Sequence, residues 1–234
     1  MHTLTATIPA GDKSMGVYCG WPDGEGPFPA IVVIQHAGGV DTFVQAIVGR
    51  LVEAGYFAAA PDLYHRQDSR EGGPMDKLKL LRDPELEVDV GATVDYLSGH
   101  PLVDADKLGI IGFCMGGRVA FLSAELYSQF RAVVAYYGGN IMVSWGDGPA
   151  PFALSKDLHC PLLFHFGAED RNPSPDDRVK LDEELTRLGK EHEFHAYENA
   201  GHAFMNFANP NMYREQAATT SWPRTLEFFA RHLA

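Results

Sequence analysis

Short apolar segments that alternate with helical patterns are the feature that most constrains the fold of this chain. The clearest ones, rich in valine, isoleucine, alanine or phenylalanine, cover residues 30–35, 57–61, 108–113, 132–138 and 161–167. They lack the strict alternation of a strand with one face in water, so they are typical of strands buried on both faces of a parallel sheet. This alternation of strands and helices predicts right-handed crossovers and a doubly wound, mostly parallel α/β sheet with helices on both faces.

Helix start signals follow several of these segments. Asp41 is a candidate N-cap before an apolar stripe at i, i+3 and i+4 spacing, and Asp83-Pro84 and Ser174-Pro175 open two further helices. The region 210–233 is predicted as a helix that Pro223 bends or restarts. These signals fit the crossovers of a doubly wound sheet.

The length of the chain, 234 residues, fits one large α/β domain over 1–234. Residues 1–21 are predicted to supply two antiparallel edge strands, near Leu4–Ile8 and Met15–Trp21. The polar, glycine-bearing segment 64–76 is predicted as a surface excursion or as a mobile lid.

Charge and cysteine content exclude several classes of partner. Nineteen basic and 31 acidic residues give a formal net charge of −12, which would repel nucleic acid and anionic membranes. No apolar stretch approaches the roughly 20 residues of a membrane span, and the start of the chain lacks the pattern of a secretory leader. Three scattered cysteines, Cys19, Cys114 and Cys160, suggest neither a disulfide framework nor a zinc site. We expect a cytoplasmic protein, as a monomer or small homo-oligomer, that acts on a small molecule.

The motif with the most chemical content is Gly112-Phe113-Cys114-Met115-Gly116, between a predicted strand and a predicted helix. This is the context of a nucleophile elbow, a strained turn that needs small residues two positions before and after the nucleophile. The helix start would favour negative charge on the Cys114 sulfur. The alternative is that Cys114 is a buried small hydrophobic residue, or that the glycines form a phosphate-binding loop.

Chain order supplies a test of the elbow, because this fold places an acid after a later strand and a histidine after the last one. Asp170 follows the segment 161–167, and His202 follows the next strand pattern. We therefore predict Cys114, His202 and Asp170 as a catalytic triad, with Glu169 as the competitor for the acid.

An oxyanion hole requires a backbone N–H after the nucleophile and another from the loop after the third strand. The small residues Ala37, Gly38 and Gly39 occupy that loop. We predict the N–H groups of Ala37 and Met115 as the donors, with a plain tight turn as the alternative.

With these motifs in place, the chain resembles the dienelactone hydrolase (carboxymethylenebutenolidase-like) family of α/β hydrolases over residues 28–232, including 55–67, 112–121 and 135–139. The resemblance implies an α/β-hydrolase fold, a Cys–His–Asp triad at Cys114, His202 and Asp170, and hydrolysis of a small ester or lactone through an acyl-enzyme. It implies no cofactor and no metal.

The chain departs from that family at two positions. His36 stands where family members that cleave dienelactone carry a glutamate, and Asn206 stands where they carry an arginine that grips the substrate carboxylate. A second such arginine has no clear match, although Arg66, Arg70 and Arg82 lie in the relevant region. An amide forms no bidentate ion pair, so an anionic dienelactone is a less expected substrate.

A cysteine nucleophile suits activated substrates, because a thiolate is both reactive near neutral pH and a good leaving group. Enol esters, aryl esters and strained lactones fit best. His36 could give Cys114 a second imidazole and a more persistent thiolate, or it could only line its loop. Both interpretations remain open.

Three other functions compete with a lactone hydrolase. The first is a broad-specificity carboxylesterase for neutral aryl or enol esters. The second is a metal site built from His36, Cys114, His202 and a carboxylate. The third is a non-catalytic or redox-sensing binding protein on the same fold.

Overall fold

The computed structural model describes residues 1–67 and 72–234. Its strands are β1 (His2–Ala10), β2 (Lys13–Trp21), β3 (Phe28–Ile34), β4 (Phe57–Pro61), β5 (Val103–Phe113), β6 (Phe130–Tyr136), β7 (Leu162–Gly167) and β8 (His192–Tyr197). They form one sheet in the order β1-β2-β4-β3-β5-β6-β7-β8. The pairs β1–β2 and β2–β4 are antiparallel, and the pairs from β4 through β8 are parallel. This arrangement confirms the predicted mostly parallel sheet.

Helices cover both faces of the sheet. They are α1 (Thr42–Glu53), α2 (Pro74–Lys79), α3 (Asp83–Ser98), α4 (Met115–Leu126), α5 (Pro175–Arg187) and α6 (Glu215–His232), and a short 3₁₀ helix spans Pro151–Asp157. The apolar sides of α1 and α6 pack in one core layer, and those of α3, α4 and α5 pack in the other.

Strand β3 explains why the apolar segments lack alternation. Ala30, Val32 and Ile34 pack in the layer of α3 and α4, whereas Ile31 and Val33 pack in the layer of α1 and α6. All five side chains are fully buried. A strand covered on both faces gains from an apolar residue at every position.

The predicted helix starts are confirmed. Asp41 caps α1, and its Oδ1 accepts hydrogen bonds from the N–H groups of Phe43 (3.0 Å) and Val44 (3.1 Å). Ser174 caps α5, and its Oγ accepts from the N–H of Asp177 at 3.1 Å. Both caps satisfy helix donors that have no partner within the helix.

Two predictions were wrong in extent. The C-terminal helix begins at Glu215, because Asn206 and Asn209 bond backbone N–H groups two residues on and hold the preceding segment in turns. Pro223 lies inside this helix. The segment 64–76 is not all loop, since α2 begins at Pro74. Residues 68–71 of that segment lie outside the described part.

Within residues 1–67 and 72–234, no helix is both long and apolar enough to cross a membrane. The same residues contain no group of three or more histidine, cysteine, aspartate or glutamate side chains arranged to hold a metal ion. All three cysteines are free thiols.

Helix α4 lies so close to the sheet that adding one methyl group to a glycine of this helix should destabilise the protein. A Cβ on Gly117 would lie 2.8 Å from the carbonyl oxygen of Tyr136, whereas a Cβ on Gly49 in α1 would have nothing within 4 Å. We expect Gly117→Ala to lower the free energy of unfolding by about 1–3 kcal/mol through overpacking. Gly49→Ala should be neutral, or more stable by up to about 1 kcal/mol. Urea unfolding of both variants measures this, and equal midpoints would contradict the close approach.

Candidate active site

The predicted site residues meet at one edge of the sheet, where the parallel strands end. Ala37 follows β3, Cys114 follows β5, and Asp170 and His202 follow β7 and β8. Ligands of open α/β sheets bind at this edge. Here it holds a cavity of about 210 Å³, which is lined by Ala37, Met75, Leu78, Cys114, Met115, Gly139, Asn140, Trp145, Asn172 and His202.

The turn between β5 and α4 has the geometry of a strained elbow. Cys114 has φ 58° and ψ −122°, outside the usual region for a residue with a side chain. A Cβ on Gly112 would lie 1.9 Å from the carbonyl oxygen of Gly116, and one on Gly116 would lie 2.4 Å from that of Gln35. Only glycine fits at either position, so this turn projects the Cys114 side chain into the cavity.

Asp170 and His202 form the expected acid–imidazole pair. The Nδ1 of His202 lies 2.8 Å from Oδ2 of Asp170, which is buried, whereas Glu169 is exposed. The Tyr137 ring packs against the imidazole with a centroid separation of 5.2 Å. A proton on Nδ1 leaves Nε2 available to exchange a proton at the cavity.

Electrostatics favour the charged form of His202. Burial lowers the pKa of the imidazole, whereas its hydrogen bonds with Asp170 and Cys114 and the charges of those groups raise it. The net effect raises the pKa to about 10. The direction of this shift favours an imidazolium beside the Cys114 sulfur.

Tyr64 is a site residue that the sequence interpretation missed. Its hydroxyl donates to the carbonyl oxygen of Ala37 at 3.1 Å and lies 3.9 Å from Sδ of Met115. It thus contacts both residues predicted to supply the oxyanion donors, and burial raises its pKa. The tyrosine lies within the segment 55–67 that carries the family resemblance, but nothing in its sequence context indicates this contact.

Asn172 is a second residue that was missed. Its N–H donates to Oδ1 of Asp170 at 3.0 Å, and its own Oδ1 accepts from the N–H of Asn140 at 2.9 Å. One side chain therefore joins the loop after β7 to the loop after β6, and both Asn140 and Asn172 line the cavity.

His36 and Asn206 have partners of their own. The Nε2 of His36 lies 2.9 Å from Oδ2 of Asp41, the cap of α1, and its ring packs edge-on against Phe43. Asn206 accepts from the N–H of Ala208 at 3.1 Å. Neither is among the described residues that line the cavity. For His36, these contacts favour the role within its loop over contact with the thiol.

The candidate arginines are also engaged. Arg66 donates to Oδ2 of the buried Asp89 at 2.5 Å, and Arg82 donates to the carbonyl oxygens of Lys79 and Leu81. Arg70 lies outside the described residues. Among the described lining residues, His202 is the one side chain that can carry positive charge.

The strand order, the strained turn after β5 and the polar loops at the carboxyl edge define an α/β hydrolase. The model of the dienelactone hydrolase family matches residues 15–233. The chain therefore belongs to the dienelactone hydrolase family, a family of hydrolases, which confirms the resemblance drawn from its motifs.

Several relatives and solved structures are similar over nearly the whole chain. A Yersinia pestis protein named "Putative carboxymethylenebutenolidase" is 33% identical and covers 99% of this chain and 89% of its own length. A Bradyrhizobium protein named "Probable 2-oxo-3-(5-oxofuran-2-ylidene)propanoate lactonase" is 31% identical, with 94% and 91% covered. The crystal structure of a "Putative Dienelactone Hydrolase" from Klebsiella pneumoniae has a TM-score of 0.88, 29% identity and 98% coverage of both chains.

The raised pKa of His202 predicts a pH-dependent contribution to stability. The pKa of the His202 imidazole rises from 6.5 to about 10 on folding. The protonated imidazole therefore stabilises the folded state fully below pH 6.5, and this contribution is lost as the pH rises through 10. We expect the free energy of unfolding to fall more between about pH 6 and pH 10 in the wild type than in His202→Gln. Urea titrations at both pH values measure the difference, and identical falls would contradict it.

Proposed function

We propose that this protein hydrolyses a small activated ester or lactone through a cysteine acyl-enzyme, with Cys114 as nucleophile, His202 as general acid and base, and Asp170 as the group that orients His202. The observation that carries the proposal is that Cys114, on a strained elbow, and His202 line one cavity, and that the buried Asp170 bonds Nδ1 of His202. Membership of a hydrolase family supports the reaction class.

The first half-reaction is acylation. The Cys114 thiolate attacks the substrate carbonyl carbon, a C–S bond forms, and the carbonyl electron pair moves onto oxygen. The N–H groups of Ala37 and Met115 stabilise that oxyanion. When it collapses, the C–O bond breaks and the His202 imidazolium protonates the departing oxygen.

Deacylation reverses these roles. Neutral His202 takes a proton from water, the resulting hydroxide attacks the thioester carbonyl, and collapse expels the Cys114 thiolate with the acid product. A lactone gives one hydroxy acid or keto acid, since its leaving oxygen stays attached. Thiolate leaves more readily than an alkoxide, so acylation succeeds best with enol, aryl or strained esters.

The lining of the cavity supports a neutral substrate. Apart from His202, the lining residues of the described part of the chain carry no cationic side chain, and Asn206 bonds within its own loop. Among these residues a substrate carboxylate would meet only His202 as a cation, and the proposed mechanism already pairs that imidazolium with the Cys114 thiolate. This observation favours the second candidate function, a carboxylesterase for neutral aryl or enol esters, over an enzyme for anionic dienelactones.

Hydrolysis of p-nitrophenyl acetate and a cis-dienelactone by wild type, Cys114→Ser and Cys160→Ser tests both proposals. Cys160 is a buried thiol before β7, at the opposite edge of the sheet, and serves as the control. We expect wild type and Cys160→Ser to show a burst and turnover with the aryl ester, and Cys114→Ser to lose about 10³-fold or more in kcat/KM.

The outcomes separate the candidates. Faster turnover of the dienelactone than of the aryl ester would contradict a neutral substrate. No turnover of either ester would favour a non-catalytic or redox-sensing role for Cys114.

The role of His36 is tested by alkylation of Cys114 with iodoacetamide as a function of pH. Because the His36 ring bonds Asp41, we expect His36→Gln to keep the wild-type profile. His202→Gln should require a higher pH for the same rate, since it loses the imidazolium that favours the thiolate. A similar displacement in His36→Gln would restore the hypothesis that two imidazoles act on the thiol.

A further inference from the structure

The largest aromatic ring on the cavity wall belongs to a loop without regular structure. Trp145 lies in the segment 138–150, between β6 and the 3₁₀ helix, and it lines the cavity together with Asn140. It is half-buried, so part of the indole remains accessible. A loop of this kind needs contacts from elsewhere to hold a ring in one place.

Those contacts come from Arg118, which is fully buried in α4 four residues after Cys114. Its Nε donates to the carbonyl oxygen of Asn140 at 3.1 Å, and its Nη2 donates to that of Val143 at 2.7 Å. Its guanidinium carbon lies 4.0 Å from the centroid of the Trp145 ring. The cation therefore holds both the backbone of the loop and the indole.

Asp83, the first residue of α3, completes the arrangement. It accepts from Arg118 through both carboxylate oxygens, at 2.6 and 2.9 Å. Its Oδ2 also accepts from the N–H of Trp145 at 2.8 Å, and its own N–H donates to the Trp145 carbonyl oxygen at 2.6 Å. The indole and its backbone are thus fixed to the helix that begins at the nucleophile.

We propose that Trp145 is a specificity-determining residue that packs against a planar, unsaturated ring of the substrate, and that Arg118 and Asp83 are positioning residues for it. This inference rests on the proposed function and names its substrate class. A ring already held in place loses little freedom when a substrate packs on it. The guanidinium also draws the ring electrons toward itself, so the indole favours contact with a neutral conjugated group over a second cation.

Three esters test the proposal: vinyl acetate has no ring, phenyl acetate has one on the alcohol side, and vinyl benzoate has one on the acyl side. The readout is the ratio of kcat/KM for each ring-bearing ester to kcat/KM for vinyl acetate. This ratio does not depend on the fraction of the enzyme that is folded. We expect Trp145→Ala to lower at least one ratio about tenfold, and Trp145→Phe to retain most of it. The ratio that falls identifies the side of the ester that the indole contacts.

Arg118→Lys tests the positioning role. A lysine keeps the charge but cannot make the paired contacts with Asp83 and the two carbonyl oxygens. We expect the same aryl ratio to fall in this variant, by less than in Trp145→Ala. Trp222→Ala is the matched control, because that tryptophan also packs under an arginine, Arg50 at 5.7 Å, but lies in α6 away from the cavity lining.

Alkylation of Cys114 provides a readout that does not require hydrolysis. The rate with N-phenyl iodoacetamide relative to iodoacetamide, followed at the Cys114 peptide by mass spectrometry, should fall in Trp145→Ala and stay constant in Trp222→Ala. If wild type cleaves none of the esters, the proposed function fails, and this rate ratio still decides the role of Trp145. If the esters are cleaved but Trp145→Ala leaves every ratio within about twofold of wild type, the inference is wrong.

Discussion

The close approach of α4 to the sheet is the constraint on which the rest of the site depends. Gly112 and Gly116 let the chain reverse at Cys114 with a positive φ, and no side chain fits at either glycine. Packing of the buried strands on both sides of β5 offsets the free-energy cost of that strained backbone. This one turn fixes the positions of the Cys114 thiol and the N–H of Met115. It also fixes the guanidinium of Arg118, four residues after Cys114.

The remaining parts of the site are held by hydrogen bonds between loops rather than by the sheet itself. Tyr64 ties the loop after β4 to Ala37, and Asn172 ties the loop after β7 to Asn140. Asn172 also donates to Asp170, which is hydrogen-bonded to the imidazole of His202. Loops that bond one another at the carboxyl edge can hold reacting groups in place while their sequences differ between relatives.

The sequence predicted those elements of the structure that carry a local physical signal. The apolar segments predicted the strands, Asp41 and Ser174 predicted helix starts, and chain order predicted that Asp170 and His202 follow the last two strands. The short helix α2 was missed because none of its residues is buried, so it has no apolar stripe. The contacts of His36 with Asp41 and of Tyr64 with Ala37 depend on side-chain directions, which residue spacing does not determine.

Arg118 shows most clearly which side-chain contacts the sequence does not predict. In the sequence it is a cation inside an apolar helix pattern, where an arginine that reaches the surface is the usual expectation. In the structure it is fully buried, and the desolvation of such a cation offsets much of the attraction to Asp83. A buried ion pair is therefore weak evidence for added stability. Its geometric effect is larger, because a planar guanidinium with several fixed partners holds a loop in one conformation.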